Sequence, residues 1–348
     1  MMPTLAAAGA EEEAREQPSR EEAHLYLTLQ RFSFCLERHA ARRAEEPPAD
    51  GEDLVARVGL EIEALDDYIA EHYADEGLPI ARLCRQLGLD DVAQRLLIAA
   101  AAPALDLSLA HRLEAITGRV QPDAGLLVAA TAADLFEERS ALAALRATAP
   151  LVRCGLVRFG TSPDWTPETP LLFRPVVVPE RILDWLRGGV AFEPDRFERA
   201  AVLWSAAVPD ALAPLSSGDP VTRALFRFDG ERHLPLVVSG PAAAGKAAAV
   251  RGAVAARGLP VLDVDLEEVA PSPRAVDLLR ELVREAMLQE AVLLLRRADG
   301  LRSARPELRR AVAGVLADGL LCTALTTRGE WRDDVHRIAG AQLVEIEP

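Results

Sequence analysis

The beginning of the chain repeats apolar residues at helical spacing, which predicts two long helices. Apolar side chains recur every three or four residues over 25–32 and again over 54–69, with acidic or polar residues between them. Because the break at 45–51 contains two consecutive prolines, residues 21–75 are predicted to form an antiparallel helical hairpin. Residues 1–20 are rich in Ala and Glu and are predicted to be a disordered tail.

Residues 76–190 contain shorter apolar runs that end at glycine or proline, which indicates short helices joined by tight turns. The predicted helices span 80–87, 90–102 and 109–116. Two further apolar runs predict strands at 151–159 and 171–178, with a turn at 160–169 between them. Short helices followed by a strand hairpin are typical of a winged-helix domain, in which the hairpin is the wing.

The last third of the chain alternates apolar strand runs with helical segments, which predicts a parallel sheet with helices on both faces. The predicted strands are 234–239, 260–265, 291–295, 321–326 and 342–346, and the helices are 247–256, 274–288 and 306–316. Four residues are expected in adjacent buried strands: Leu236, Val264, Leu294 and Leu325. Residues 231–348 form this predicted α/β domain, and residues 191–230 are predicted to hold a linker and helices.

A glycine-containing loop lies between the first of these strands and the helix that follows it. Its sequence matches the first seven positions of a P-loop, GxxxxGK. In such a loop the glycines let N–H groups point inward, the lysine places a cation on the outer phosphates, and the helix presents its positive dipole end. An ordinary turn rich in Ala and Gly is the less favoured alternative, because motif and context agree. The predicted nucleotide-binding positions, for ATP or ADP, are Gly240, Pro241, Ala242, Ala243, Ala244, Gly245, Lys246 and Ala247.

The two positions that would hold magnesium in a P-loop ATPase carry unsuitable residue types. The eighth loop position, normally Ser or Thr, is Ala247, which has no side-chain oxygen. The strand 291–295, where a metal-binding Asp is expected, is followed by Arg296 and Arg297. Asp299 lies two residues further on and is interpreted as a structural cap or turn residue. Magnesium is therefore a doubtful cofactor, and hydrolysis would be badly compromised.

Two further features, at the ends of the predicted strands 291–295 and 321–326, have open interpretations. Thr326 and Thr327 end a predicted strand, where a hydroxyl group could approach a γ-phosphate. An ordinary strand-end role explains these two threonines equally well. Arg296 is interpreted as a cation that could neutralise phosphate charge in place of a metal ion, so nucleotide binding without magnesium is a consistent hypothesis.

Three longer phrases of the sequence together resemble one group of bacterial AAA+ ATPases. They are LGLDDVAQRLLIAAAAPALD at 87–106, VVVPERILDWLRGG at 176–189 and REAMLQEAVLLLRRADGL at 284–301. Proteins of this group carry a variant winged-helix region ahead of the AAA+ core and are often encoded with phage-tail-like contractile injection systems. The resemblance implies an α/β P-loop (AAA+-like) parallel-sheet domain preceded by a mainly helical winged-helix region at 76–190.

Two departures from this group imply that the chain is a degenerate member. Gly240, Gly245 and Lys246 match the group's phosphate-binding positions, whereas its metal-binding hydroxyl and acid have no counterpart here. An AAA+ module also continues into a helical lid after its last strand, and this chain ends at Pro348. The resemblance therefore implies a pseudo-ATPase without the lid, with AAA+ subunits or injection-system components as candidate protein partners.

The charge of the chain argues against general binding to nucleic acids or anionic membranes. It has 54 acidic and 39 basic residues, a net charge of -15 and a pI of about 5.0. Nonspecific affinity for phosphates comes from Lys and Arg. The arginines of the winged-helix region are spread among acids, so a protein-interaction module is favoured over a DNA reader. These arginines are Arg82, Arg85, Arg95, Arg112 and Arg119.

Cysteine placement and hydropathy favour a cytoplasmic protein. The four cysteines form no CxxC pair and have no histidine at metal-ligand spacing, so neither a zinc site nor a disulfide framework is predicted. They are Cys35, Cys84, Cys154 and Cys322. The N-terminus has no secretory pattern, and no apolar run is long enough to predict a transmembrane helix.

The leading hypothesis from the sequence is a degenerate AAA+ ATPase-like protein with weak or no nucleotide binding and no efficient hydrolysis. It would act as an assembly or regulatory factor, with a contractile injection particle as the candidate assembly. The first alternative is an active, ATP-hydrolysing AAA+ remodelling protein in which Asp265 or Asp299 supplies the missing metal ligand. The second alternative is a purely structural protein-interaction module whose loop stays empty.

The net charge generates a prediction about nucleic acids. We expect no measurable binding of duplex DNA at physiological salt, because a chain of net charge -15 repels the phosphate backbone. A gel-shift titration to micromolar protein checks this expectation. A salt-sensitive shifted complex would contradict it, and the winged-helix region would then be interpreted as a DNA reader.

Overall fold

The described residues of the computed structural model belong to two units, Met1–Gly189 and Val190–Pro348. They are 18–43, 51–74, 77–160, 169–205, 220–229, 232–302, 304–328 and 340–346. Most of the predicted tail at 1–20, and most of the predicted wing turn at 160–169, therefore lies outside the described residues. The domain limits proposed from the sequence stay predictions.

Two long helices begin the first unit, as the apolar periodicity predicts. Helix α1 spans Arg20–Arg43 and helix α2 spans Gly51–His72. Arg31 of α1 donates two hydrogen bonds to the carboxylate of Asp66 in α2, from Nε at 2.5 Å and from Nη2 at 2.9 Å. Arg20 at the start of α1 donates to the carbonyl oxygen of His72 at the end of α2, at 3.1 Å. Since the start of one helix meets the end of the other, the two helices are antiparallel.

A series of shorter helices follows in the first unit. They are α3 Pro79–Leu87, α4 Asp91–Leu105, α5 Leu107–Thr117, α6 Ala124–Thr131, α7 Leu135–Ala144, α8 Pro150–Arg153 and α9 Glu180–Leu186. Helices α4 to α7 each begin after an aspartate whose carboxylate accepts a hydrogen bond from an N–H group of the first turn. These N-caps are Asp90, Asp106, Asp123 and Asp134. Aspartate at this position satisfies N–H groups that the helix leaves unpaired, so it fixes where each helix starts.

The strand hairpin predicted as the wing is present but shorter than the apolar pattern suggests. Strand β1 is Arg158–Phe159 and strand β2 is Val176–Val177, and the two pair antiparallel. Most of the strand predicted at 151–159 is wrong, because Pro150 starts helix α8 and proline favours a first helical position. The strand predicted at 171–178 is also too long, since residues 171–173 form a 3-10 turn.

The described residues of the second unit form a six-stranded sheet in the order β3-β5-β6-β7-β4-β8. The strands are β3 Ala201–Trp204, β4 Leu236–Ser239, β5 Val261–Asp265, β6 Val292–Arg296, β7 Thr323–Thr327 and β8 Gln342–Glu345. Strand β3 pairs antiparallel with β5, and the other neighbours are parallel. Residues 191–230, expected to hold a linker and helices, therefore also supply an edge strand. A four-residue apolar run is too short for periodicity to separate strand from helix.

Helices cover both faces of this sheet, as the alternation of strands and helices predicts. They are α10 Pro220–Leu225, α11 Lys246–Ala255, α12 Leu266–Val269, α13 Ala275–Leu288 and α14 Pro306–Asp318. Helices α10 and α11 pack on one face, and α12, α13 and α14 pack on the other. Four fully buried residues lie in adjacent strands, which confirms the expectation for the sheet: Leu236, Val264, Leu294 and Leu325.

The position of α11 places the candidate loop at one edge of the sheet. Strand β4 ends at Ser239, and α11 begins at Lys246. Strands β5, β6 and β7 run parallel to β4 or to each other, so their carboxyl ends lie at the same edge as the loop. In open parallel sheets ligands bind at this edge, where the connections leave toward opposite faces.

None of the described helices is by itself long and apolar enough to cross a membrane. Helices α4 and α5 reach the required length and hydropathy only when they are taken together, and they meet at a bend of 103°. Residues 96–102 of α4 are all buried, so the apolar side chains of this helix pack inside the protein.

The central position of Leu294 generates a prediction about stability. Leu294→Ala removes a side chain that is 0% exposed in a packed sheet, so the free energy of unfolding should fall by about 3 kcal/mol. Urea denaturation followed by circular dichroism measures this change. Val202→Ala, at a position 49% exposed on β3, is the control and should change stability by less than about 0.5 kcal/mol. Equal effects of the two substitutions would contradict the assignment of Leu294 to the core.

Candidate functional site

The loop between β4 and α11 has an unusual backbone conformation. The φ angles are 150° at Gly240, 64° at Ala243 and 73° at Gly245. A Cβ on Gly240 would lie 2.3 Å from the carbonyl oxygen of Ile346, so only glycine fits at this position. Ala243 adopts a left-handed conformation although it carries a Cβ, which costs about 1–2 kcal/mol. Backbone strain of this kind is concentrated at functional sites.

The start of helix α11 offers backbone N–H groups to the loop. Ala249 donates the first hydrogen bond of the helix to the carbonyl oxygen of Gly245, at 2.8 Å. The N–H groups at positions 246–248 precede this bond and have no carbonyl oxygen of their own helix to bind. Because the N-cap is Gly245, no side chain of the cap covers them. An anion at this helix start would meet N–H donors and the positive end of the helix dipole.

Lys246 is the only lysine in the 348 residues, since every other member of the Lys and Arg set is arginine. Its Nζ donates hydrogen bonds to the carbonyl oxygens of Gly240 at 2.8 Å and Pro241 at 2.5 Å. Burial lowers the pKa of Lys246, while the nearby Asp299 carboxylate opposes this shift and the Arg328 guanidinium adds to it. The ammonium group therefore lies against its own loop, where it interacts electrostatically with one carboxylate and one guanidinium group.

The acidic and hydroxyl residues predicted near the phosphates bind one another and the backbone. Asp299 Oδ1 accepts a hydrogen bond from Thr327 Oγ1 at 2.8 Å. The N–H of Arg328 donates to both carboxylate oxygens of Asp299, at 3.1 and 2.9 Å. Thr326 Oγ1 accepts a hydrogen bond from the N–H of Arg297 at 3.3 Å. These bonds fasten the turn after β6 to the end of β7 and occupy both Asp299 oxygens.

Arg296 and Arg297 extend toward the neighbouring strand β5. Arg296 bonds Asp263 through Nε, and its Nη2 lies 3.4 Å from Asp265. Arg297 bonds Asp265 through Nε at 2.7 Å and through Nη2, and its Nη1 lies 2.7 Å from Glu267. The guanidinium group of Arg296, interpreted from the sequence as a partner for phosphate, is thus paired with carboxylates of β5.

Asp263 is the buried centre of this charge network. Its side chain is 2% exposed, and Arg251 of α11 donates to Oδ2 at 2.6 Å while Arg296 bonds Oδ1. The guanidinium of Arg251 also lies over the ring of Trp204, 4.7 Å from its centroid. A carboxylate removed from water needs such charge-assisted partners on both oxygens. The network therefore joins α11, β5 and β6.

These contacts decide which ligand the site fits. A magnesium ion needs oxygen ligands, and Ala247 offers none in its side chain. Asp265 is bound by Arg297, and Asp299 is bound by Thr327 and by backbone. No described set of three or more His, Cys, Asp or Glu residues is arranged to hold a metal ion. The described residues at the loop therefore do not fit magnesium, whereas a lysine ammonium group and backbone N–H groups are of the kind that bind phosphates.

Sequence reasoning missed Asp263, Arg251 and Arg328. Asp263 and Asp265 are two residues apart in β5, so their side chains lie on the same face of the sheet. Arg296 is the partner of Asp265 in the pairing of β5 with β6. The sequence did contain one signal for Asp263. In the run VLDVD two acids stand two residues apart, and the next strand in the sequence ends in arginine. No sequence pattern indicated Arg251 or Arg328, because their contacts depend on the order of the strands in the sheet.

The arginines of the first unit that could form a DNA-reading surface make internal contacts in several cases. Arg95 bonds Glu137 at 2.5 Å, and Arg112 bonds the hydroxyl of Ser33 at 2.6 Å. Arg82 lies over the ring of Trp185, 5.2 Å from its centroid. Cations that are already paired within the fold contribute less to binding of phosphates.

The buried network generates a prediction about stability. Asp263→Asn removes the charge that pairs with Arg251 and Arg296, so the free energy of unfolding should fall by about 2–4 kcal/mol. The matched control is Asp277→Asn, because Asp277 forms an ion pair with Arg280 at 3.1 Å and its side chain is 56% exposed. The control should change stability by less than about 1 kcal/mol. Urea unfolding of both variants tests this difference, and similar losses would show that the Asp263 network does not stabilise the unit.

Comparisons with known proteins give one solved structure and one family model. A solved structure of the FIGL-1 AAA domain in complex with ADP shares 14% sequence identity with this chain, at a TM-score of 0.35. That match covers 45% of this chain and 63% of the other, which is less than two thirds of the solved chain's length. No curated protein matches the chain. The family model described as "Winged helix domain, variant" matches residues 5–200, more than half of the chain. This chain therefore belongs to the variant winged-helix domain family.

Proposed function

We propose that this protein is a degenerate AAA+-like P-loop protein. It binds the phosphates of ATP or ADP weakly and without magnesium, and it does not hydrolyse ATP efficiently. The strand–loop–helix arrangement from β4 to α11 and the parallel neighbours of β4 support a P-loop assignment. The resemblance of residues 284–301 to AAA+ ATPases supports the same proposal.

The observation that carries this proposal is the position of the only lysine. The chain has 39 Lys and Arg residues, and arginine occupies each of these positions except 246. Lysine differs from arginine by its compact ammonium group, whose three donors rotate freely on a flexible stem. Such a group can lie between the carbonyl oxygens of Gly240 and Pro241 and can turn toward a bound phosphate. A turn that only joined a strand to a helix would not require this chemistry.

The contacts of Lys246 also explain why binding should be weak. To reach a phosphate oxygen, Nζ has to give up its hydrogen bonds to Gly240 and Pro241. The gain from a charge-assisted bond to phosphate is therefore offset by two bonds lost. The N–H groups at the start of α11 add to the affinity, because they have no partner in the helix to lose.

The absence of hydrolysis follows from the contacts of the acidic residues. Phosphoryl transfer to water depends on a metal ion that neutralises charge and on a residue that orients the water. Asp265 could serve only by releasing Arg297, and Asp299 only by releasing Thr327 and Arg328. Loss of both functions costs several kcal/mol of transition-state stabilisation, and about 1.4 kcal/mol is already tenfold in rate.

The biological role proposed here is that of an assembly or regulatory factor that acts through protein partners. The net charge of -15 and the internal pairing of Arg95 and Arg112 favour protein contacts over DNA. AAA+ subunits and components of a contractile injection particle are the candidate partners, on the basis of the resemblance alone. The alternatives remain an active remodelling ATPase and a purely structural interaction module, and nucleotide binding separates them.

The single lysine allows a direct test of nucleotide binding. We expect saturating ADP to protect Lys246 from acetylation by an amine-reactive reagent, whereas the α-amino group at the N-terminus stays equally reactive and serves as the internal control. Mass spectrometry of the digested protein measures both sites in one sample. Protection should be the same in EDTA and in excess magnesium to within about twofold, because the site does not fit the metal.

Variants of the loop give the corresponding affinities. Lys246→Ala should weaken binding of a fluorescent ADP analogue at least about tenfold, Lys246→Arg should retain part of it, and Arg280→Ala, on the exposed face of α13, should leave it unchanged. Phosphate release from ATP should stay at background. Magnesium-dependent turnover that is lost in Lys246→Ala would establish the active-ATPase alternative. Absence of any protection of Lys246 would establish the structural module.

A further inference from the structure

A cavity of about 770 Å³ lies in the first unit, far in sequence from the phosphate-binding loop. Its walls come from the end of α1, the turn between α5 and α6, helix α6 and the 3-10 turn at 171–173. Cavities of roughly 300–1,000 Å³ are the usual size for a bound ligand or an anchoring side chain. The proposed nucleotide function does not involve this cavity.

The charge at this cavity is opposite in sign to that of the whole chain. Its lining contains His39, Arg43 and Arg119 as basic residues and Asp123 as the acidic one. The Asp123 carboxylate accepts a hydrogen bond from the N–H of Leu126 at 2.8 Å, because it is the N-cap of α6. Burial lowers the pKa of His39, and the nearby Arg43 guanidinium lowers it further. Because the lowered pKa favours neutral His39, the described lining carries two arginine charges against one carboxylate, a positive balance in a chain of net charge -15.

Among the described residues, the two arginines of the cavity have no carboxylate partner. Within the part of the chain that the structure describes, neither Arg43 nor Arg119 forms an ion pair. A second cavity of the same unit differs in this respect, although its volume of about 730 Å³ is similar. There Arg31 is paired with Asp66 and Arg95 with Glu137. Unpaired cations beside a cavity favour an anionic ligand.

Apolar side chains lie beside these cations. Leu172 is 42% exposed and Phe173 is 63% exposed, and both line the cavity. The turn that carries them is held by the backbone, because Ala124 donates to the carbonyl oxygen of Arg174 at 2.9 Å. Its approach to α6 is close, since a Cβ on Gly125 would lie 2.9 Å from the carbonyl oxygen of Leu172. Two adjacent apolar side chains that line a cavity offer a surface on which an apolar group of a ligand can pack.

We propose that this cavity binds an acidic peptide segment of a partner protein. Carboxylates of the segment pair with Arg43 and Arg119, and a bulky apolar side chain of the segment packs on Phe173 and Leu172. The combination of two separated cations with an apolar wall matches a peptide in which acidic residues flank an aromatic or aliphatic one. A nucleic acid would instead require an extended positive surface that tracks its phosphates.

A random twelve-residue phage-displayed peptide library, selected on the purified full chain, tests this proposal without assuming a sequence. We expect enrichment of peptides with Asp or Glu next to Phe, Leu or Trp. In fluorescence anisotropy with the enriched peptide, Arg119→Glu and Phe173→Ser should each weaken binding about tenfold or more. The matched controls are Arg146→Glu and Phe136→Ser, at exposed positions outside the cavity, and they should bind like the unchanged chain.

The possible outcomes separate this proposal from its rivals and from the nucleotide proposal. Enrichment of basic peptides, no enrichment, or binding that Arg119→Glu does not change would overturn the acidic-peptide site. Binding of single-stranded oligonucleotides that is lost in Arg119→Glu would also overturn it and would assign the cavity to nucleic acid. Lys246→Ala should leave peptide binding unchanged, so failure at the loop and failure at the cavity are distinguishable.

Discussion

The buried carboxylate of Asp263 is the constraint on which the second unit depends. A carboxylate that is 2% exposed must be paired, and its two partners come from different elements, Arg251 from α11 and Arg296 from β6. Helix α11 also begins at Lys246, directly after the candidate loop. The ion pair that neutralises Asp263 therefore holds the helix, and with it the loop, against the sheet. Removing either partner would leave charge in a poorly solvated position.

The same pairing explains how arginine is accommodated at the end of β6. Arg296 stands where a P-loop ATPase needs a carboxylate, and the arginine can be accommodated there because Asp263 and Asp265 lie on the neighbouring strand. Replacing a metal-binding acid by arginine alone would place an unpaired cation at the sheet end. Here the acids of β5 pair with it, so the arginine is accommodated without an unpaired charge in the sheet.

The sequence predicted the parts of the fold that depend on local patterns. The strands that contain Leu236, Val264, Leu294 and Leu325 were correct because buried parallel strands are continuous apolar runs. The edge strand β3 was missed, since four apolar residues do not show a period and its pairing with β5 is nonlocal. The wing strands were overestimated for a related reason, because apolar content does not distinguish a strand from a short helix that starts at Pro150.

The candidate site was also predictable only where it depends on consecutive residues. The motif located Gly240, Gly245 and Lys246, because a P-loop is defined by consecutive residues. The partners of Arg296 and Arg297 were not predictable, since they depend on the register between β5 and β6. The proximity of Arg328 to Lys246 depends in the same way on β7 lying next to β4. Local sequence thus defines the candidate loop, whereas its electrostatic surroundings arise from the order of the strands.

Both proposals assign an anionic ligand to a chain whose net charge is -15. At physiological salt the Debye length is about 8 Å, so most of the acidic surface acts weakly on a ligand already in place. The local groups then decide the sign: Lys246 and Arg328 against Asp299 at the loop, and Arg43 and Arg119 against Asp123 at the cavity. The distant negative charge still slows the approach of anions at low salt. The net charge should therefore affect the rate of association at both sites more than it affects the affinity. Added salt should first accelerate association, and only higher salt should weaken binding.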